Sequence, residues 1–240
     1  MTSAAPIRST ARVLSKPKRR WVRIVLVCLG ALFVAFWLTC VLAMFAMKWI
    51  DPPTTSVQIE RRVEAAFGSH PYTKCHTFVP LARISPSLQH AVIAAEDTQF
   101  YHHHGFDWAQ IKRVVDQDFE KHRVGRGAST IDQQLIKNLF LTTARSFIRK
   151  GIEFTLVPMM ELLLSKNRIL ELYLNIIKWG PGVYGAEAAA QYWYHVPASQ
   201  LTREQALHLA AIIPAPLKRR PDQTTEYSAV IERRMRQMGW

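Results

Sequence analysis

The chain has 240 residues, 49% hydrophobic and 20% charged, which supplies a packed core for one or two domains and argues against disordered, collagenous and repeat-array proteins. Its formal net charge is +13, yet eight of the 31 Lys and Arg fall in the first 50 positions with no acid among them, leaving +5 over the remaining 190. That excess is small for a nucleic-acid-binding surface.

From Ile24 to Met47 run 24 residues without a charge; as a helix they extend about 36 Å, more than the hydrocarbon core of a bilayer. Seven Lys or Arg precede the run (Arg8, Arg12, Lys16, Lys18, Arg19, Arg20, Arg23), and Lys48 and Asp51 follow it. The positive-inside rule then places residues 1–23 in the cytoplasm as a basic tail, 24–47 as a transmembrane anchor, and the rest outside. The run is too long for a signal-peptide core and lacks an A-x-A-like site. Cys28 and Cys40 fall in the anchor, so Cys75 stands alone outside, where a small buried hydrophobe is its expected role.

Asp51-Pro52-Pro53-Thr54-Thr55 breaks the helix and opens a stalk over 48–77, followed by a mainly α domain over 78–240. Ser85-Pro86 predicts a helix start, with Leu88, Ala91, Val92 and Ala95 as the apolar face of a helix ending at Glu96. Asp107 caps a second helix bearing Trp108, Ile111, Val114, Val115 and Phe119, and Ser129 or Thr130 a third reaching about Leu141. A long helix over Ser146–Leu164 is expected to kink at Pro158. Helices over Asn167–Ile177 and Ala186–Tyr194 flank a glycine-rich loop, Gly180 to Gly185, and Thr202-Arg203-Glu204-Gln205 forms a capping box for one ending before Pro214. No alternating strand is evident.

Glu96 and Asp97 close an apolar helix, where partial burial raises a carboxyl toward the range of a general base. Glu153 has Arg149 and Lys150 on its helical face, and from Arg123 to Lys150 there are six cations (Arg123, Arg126, Lys137, Arg145, Arg149, Lys150) and one acid, Asp132. That cluster suits an anionic, phosphate-bearing substrate. Backbone N–H groups near Ser129 and Thr130 favour an anion at the helix terminus, and Gln134 and Lys137 share a face. His102 to His104 lack the spacing of a metal site.

These residues carry a resemblance. Ala94-Ala95-Glu96-Asp97-Thr98-Gln99-Phe100 with His103, Gly105 and Asp107 resembles the E-D-x-x-F-x-x-H-x-G-x-D motif of the peptidoglycan glycosyltransferases, glycosyltransferase family 51. In family order follow Gly127 to Asn138 (G-A-S-T-I-x-Q-Q-x-x-K-N), Arg149 to Glu153 (R-K-x-x-E), Ile169 to Asn175 (I-L-E-x-Y-L-N) and Gly180 to Ala190. The similarity covers roughly residues 78–216, and the short remainder points to the monofunctional members.

The resemblance implies a lysozyme-like, all-α domain that polymerises lipid II into β-1,4-linked glycan with release of undecaprenyl diphosphate, at the periplasmic face of the inner membrane. It implies Glu96 as the general base and Glu153 as the group assisting diphosphate departure, through its cationic neighbours or a divalent ion (Mg or Mn) that is not required with certainty. Substrate-binding roles are implied for Asp97, Phe100, His103, Ser129, Gln133, Gln134, Lys137, Asn138, Arg145, Arg149, Lys150 and Asn175. Implied partners are lipid II, the growing strand, membrane lipid and other cell-wall synthesis and division proteins, with no nucleic acid. Asp132 stands where the family has Ser or Thr, an expected negative charge in the phosphate site; Trp193-Tyr194 replaces Tyr-Phe, and Val196 a Lys. A lytic enzyme that cleaves peptidoglycan and an inactive scaffold of cell-wall synthesis are the competing readings.

Overall fold

The computed structural model describes residues 17–68, 73–121, 129–144 and 146–240, and the chain divides into two compact units, Met1–Thr39 and Cys40–Trp240. Helix α1 (Pro17–Ala46) contains Arg20–Ala46, the one described helix long and apolar enough to cross a membrane. Its Leu26, Val27, Leu29 and Leu32 are exposed, as in a helix surrounded by lipid.

The second unit is mainly α, as the periodicity predicts. It continues through α2 (Ser56–Ala66), β1 (Cys75–His76), α3 (Pro86–Glu96), α4 (Trp108–Lys121), α5 (Ile131–Phe140), α6 (Phe147–Leu163), α7 (Lys166–Ile176), β2 (Lys178–Gly180), β3 (Val183–Tyr184), α8 (Ala186–Tyr194), α9 (Arg203–Ile212) and α10 (Thr225–Gln237). Within the segment read as stalk, α2 packs on α5, burying Val57 and Gln58, and Glu60 accepts hydrogen bonds from Thr143 N (2.9 Å) and Oγ1 (2.7 Å).

The three strands escape the sequence reading because none exceeds three residues, too short for alternation to show. They pair in the order β1-β3-β2, with Cys75 parallel to Val183 and Lys178 antiparallel to Tyr184, so the expected glycine-rich loop is a hairpin. Its Gly182 has φ +71°, and a Cβ there would stand 2.1 Å from Thr73 O. Cys75 is exposed rather than buried, lying at the edge of this small sheet.

The local start signals mostly form as written. Asp107 Oδ1 accepts from Gln110 N at 2.8 Å, Thr130 and Thr202 each close a capping box, and Ser146 caps α6. Ser85 differs: its hydroxyl donates to Leu201 O at 3.1 Å, tying α3 to the segment before α9, while Pro86 opens the helix. Helix α6 runs from Phe147 to Leu163 with Pro158 inside it.

Around α3 the core is wider than one stripe. Both α9 and α10 pack on it, so Ile93 and Ala94 are buried together with Leu88, Ala91 and Val92. A second group centres on α5, which contacts α2, α6 and α7 through Leu135, Ile136 and Leu139, with Leu156 and Met160 of α6 and Ile169, Leu172 and Tyr173 of α7 buried. The end of α3 meets the start of α5 between these groups, and there the candidate residues collect.

Candidate active site

Glu96 is the last residue of α3, half-buried, and its Oε2 accepts a hydrogen bond from Gln134 Nε2 at 2.7 Å. Gln134 is fixed in turn: Tyr173 Oη donates to its Oε1 at 3.0 Å, leaving the NH₂ end for Glu96. Tyr173 is wholly buried on α7, so the partner of Glu96 is held from the core. Burial raises the Glu96 carboxyl above the ordinary carboxylate range, opposed by the Gln134 hydrogen bond, Lys137 and Arg234. This carboxylate has one neutral donor in contact and a pKa shifted toward that of a base.

Glu153, by contrast, has charged donors in contact. Buried on α6, it accepts from Arg149 Nη1 and, at 2.7 Å, from Lys150 Nζ, which also reaches Ser129 Oγ at 3.5 Å. Lys137 feels both carboxylates: its ammonium is pushed down by burial and by Arg149 and Lys150, and supported by Glu153 and Glu96. Glu153 thus holds Arg149 and Lys150 together against their repulsion, with Lys137 within electrostatic reach, a seat for an anion with more than one negative charge. Both Glu153 oxygens are already taken by cations, a donor set that does not fit a divalent metal ion. Arg145 lies outside the described residues, as do Arg123 and Arg126.

Several residues expected to bind substrate have partners within the protein. Asp97 is buried, receives His103 Nε2 at 3.0 and 2.9 Å, and accepts from Ile131 N at 3.0 Å. The anion at the α5 terminus is therefore the protein's own carboxylate. Thr130 N and Gln133 N are committed to the capping box, which also takes the Gln133 side-chain oxygen. Phe100 is fully buried beneath the Lys166 ammonium, 4.4 Å from the ring centroid. Asn175 clamps Val79 through N–H···Oδ1 and Nδ2–H···O contacts of 2.9 Å each, and Asn138 Nδ2 donates to Gln134 O at 2.7 Å. Gly105 permits the turn between His103 and α5: with φ +84°, its carbonyl accepts Thr130 Oγ1 at 2.7 Å, and a Cβ would lie 2.3 Å from Val157.

Asp132 lies apart from the Glu153 cluster, among Lys166 and Glu161. Wholly buried, it faces Lys166 Nζ at 3.4 Å and neighbours Glu161, itself 2.5 Å from Lys166. Asp97, His103 and Asp132 come together here, unforeseen from the histidine spacing, but the Lys166 ammonium already supplies the cation. Burial and the Glu161 contact raise Asp132 to about 8. The unfolded chain releases that proton near pH 4, so between about pH 4 and 8 the folded form binds more protons and stability falls as pH rises. Asp132→Asn is expected to flatten that fall, leaving a melting temperature at pH 8 equal to or above the parent's. Thermal denaturation in detergent across this range checks it; a steeper decline in the variant would contradict the assignment.

Sequence reasoning missed Arg234 and Tyr227 of α10, which contact the last turn of α3 from about 130 to 140 residues away. No local motif marks them. Exposed Trp108, Phe147, Ile148 and Phe154 form an apolar surface at the start of α4 and on the N-terminal half of α6, the helix that carries Glu153.

The family described as Transglycosylase matches residues 63–238. A biosynthetic peptidoglycan transglycosylase of Shewanella oneidensis is 44% identical over 225 residues, covering 92% of this chain and 95% of its own. One from Aeromonas hydrophila is 45% identical over 88% of this chain and 90% of its own, and one from Pseudomonas entomophila 42% over 82% and 84%.

Proposed function

Because the chain belongs to the transglycosylase family and is a peptidoglycan glycosyltransferase, we propose that it polymerises lipid II into β-1,4-linked glycan strands, releasing undecaprenyl diphosphate. The observation that carries this reading is the split between the two carboxylates. Glu96 has a raised carboxyl and one neutral donor, while Glu153 is saturated by cations.

In the reaction so assigned, the Glu96 carboxylate removes the proton from the acceptor 4-hydroxyl, whose oxygen attacks the anomeric carbon of the growing chain. The bond from that carbon to the diphosphate breaks. Arg149 and Lys150, paired with Glu153, and Lys137 near them receive the charge that develops on the departing diphosphate. Attack opposite the leaving group inverts the anomeric centre, by the same geometry that separates inverting glycosidases from retaining ones. The exposed Phe147, Ile148, Phe154 and Trp108 beside the cations suit a substrate whose diphosphate carries a lipid chain. The apolar α1 and the basic residues before it fit a single-pass inner-membrane anchor with a cytoplasmic N-terminus and a periplasmic catalytic domain.

Product analysis tests the proposal. Full-length protein in detergent, given labelled lipid II, is expected to yield a lysozyme-sensitive polymer and leave isolated sacculi intact. Cleaved sacculi without polymer would establish the lytic reading instead, and neither product from folded protein would favour the scaffold.

A further inference from the structure

Helix α10 contacts the helix that carries the base. Arg234 Nη1 donates to the carbonyl oxygens of Ala94 at 3.0 Å and Ala95 at 3.2 Å, and Tyr227 Oη donates to Ala95 O at 3.4 Å. Since α3 ends at Glu96, these carbonyls belong to its last turn, where helical partners run out and the negative end of the dipole gathers. Among the described residues Arg234 forms no ion pair with a carboxylate. Its charge is left to act on the end of α3.

We propose that Arg234 is a positioning residue for glycosyl transfer: it caps the α3 carboxyl terminus, holds Glu96 against Gln134, and offsets the helix dipole so that the base is ionised at working pH. This inference rests on Glu96 being the base. The groups acting on Glu96 come from every side. Asp97 raises it from its own chain segment, Lys137 and Gln134 of α5 lower it, and the buried Tyr173 of α7 stands behind Gln134. From α10 comes Arg234, whereas Arg203 of α9 acts on His90, nearer the start of α3. Arg234 and Lys137 are the cations opposing the dipole and burial.

Arg234→Gln keeps donors for the two carbonyls and removes the charge; Arg234→Lys keeps the charge. Two readouts separate the roles: the pKa of Glu96 by ¹³C NMR of the labelled carboxyl in the full-length protein, and the acid limb of kcat/KM for lipid II. In Arg234→Gln both are expected to rise by about half a pH unit, the scale of a cation at a helix C-terminus, while Arg234→Lys stays with the parent. An unmoved Glu96 pKa in folded Arg234→Gln overturns the proposal. A Glu96 pKa that rises while the kinetic limb stays fixed keeps the electrostatic coupling and removes Glu96 as the base, so the two failures are distinguishable. If Arg234→Gln folds poorly, Arg234→Met carries the same comparison, and a Glu96 pKa in it equal to the parent's overturns the proposal equally.

Discussion

Glu96→Gln is expected to lower lipid II polymerisation by about a thousandfold, within the range assigned to general-base catalysis. The substitution conserves volume and leaves a carbonyl oxygen for the Gln134 Nε2 donor 2.7 Å away, so the site survives while its proton acceptor is lost. The half-buried carboxylate costs stability through desolvation, the cause of its raised pKa. The melting temperature of the variant should therefore equal or exceed the parent's. A purified, folded Glu96→Gln protein that polymerises at the parent rate would remove Glu96 from the mechanism.

The second large effect belongs to Lys137. It is the cation that interacts with both carboxylates, and burial already lowers its ammonium, so it meets a departing anion with little water to displace. Lys137→Met is expected to cost about a hundredfold in kcat or more, comparable to the loss of one oxyanion donor. Its removal also takes away one of the influences that hold the Glu96 carboxyl down, so the acid limb of the rate profile should move to higher pH. Lys137→Arg should recover part of the rate, because charge rather than chain length is the main requirement. Steady-state kinetics across pH checks both points. An unshifted limb with an unchanged kcat would mean that Lys137 acts on neither carboxylate.

The sequence is legible where structure is decided locally. Pro86–Glu96 and Ala186–Tyr194 form the helices expected of them, and Thr130 and Thr202 close capping boxes with residues three positions on. Pairing across the chain is not local, and there the reading stops. Cys75 meets Val183 through strands of two residues, and α10 begins at Thr225 without a side-chain cap from Thr224, held instead by buried Ser228, Ile231 and Met235.

The site divides along the same line. The motif spacing isolates Glu96, Glu153, Lys137, Arg149 and Lys150 because their chemistry follows from residue type and helical phase. It does not show that Asp97, Phe100 and Asn175 are buried among partners of the protein itself, since a motif does not distinguish a residue that touches ligand from one that fastens the helices around it. Asp132 shows the same limit. Its charge suggested a disturbance at the phosphate site, yet on α5 it lies five residues before Lys137, on another face, where Lys166 and Glu161 receive it.

The most direct measurement is the pH dependence of kcat/KM for lipid II polymerisation by the full-length protein, set beside the residual activity of Glu96→Gln. A base raised by burial predicts an acid limb above the ordinary glutamate pKa of about 4.3, absent from the variant. A limb at the ordinary value, or the same limb persisting in Glu96→Gln, would contradict the assignment of Glu96 as the base of this glycosyltransferase.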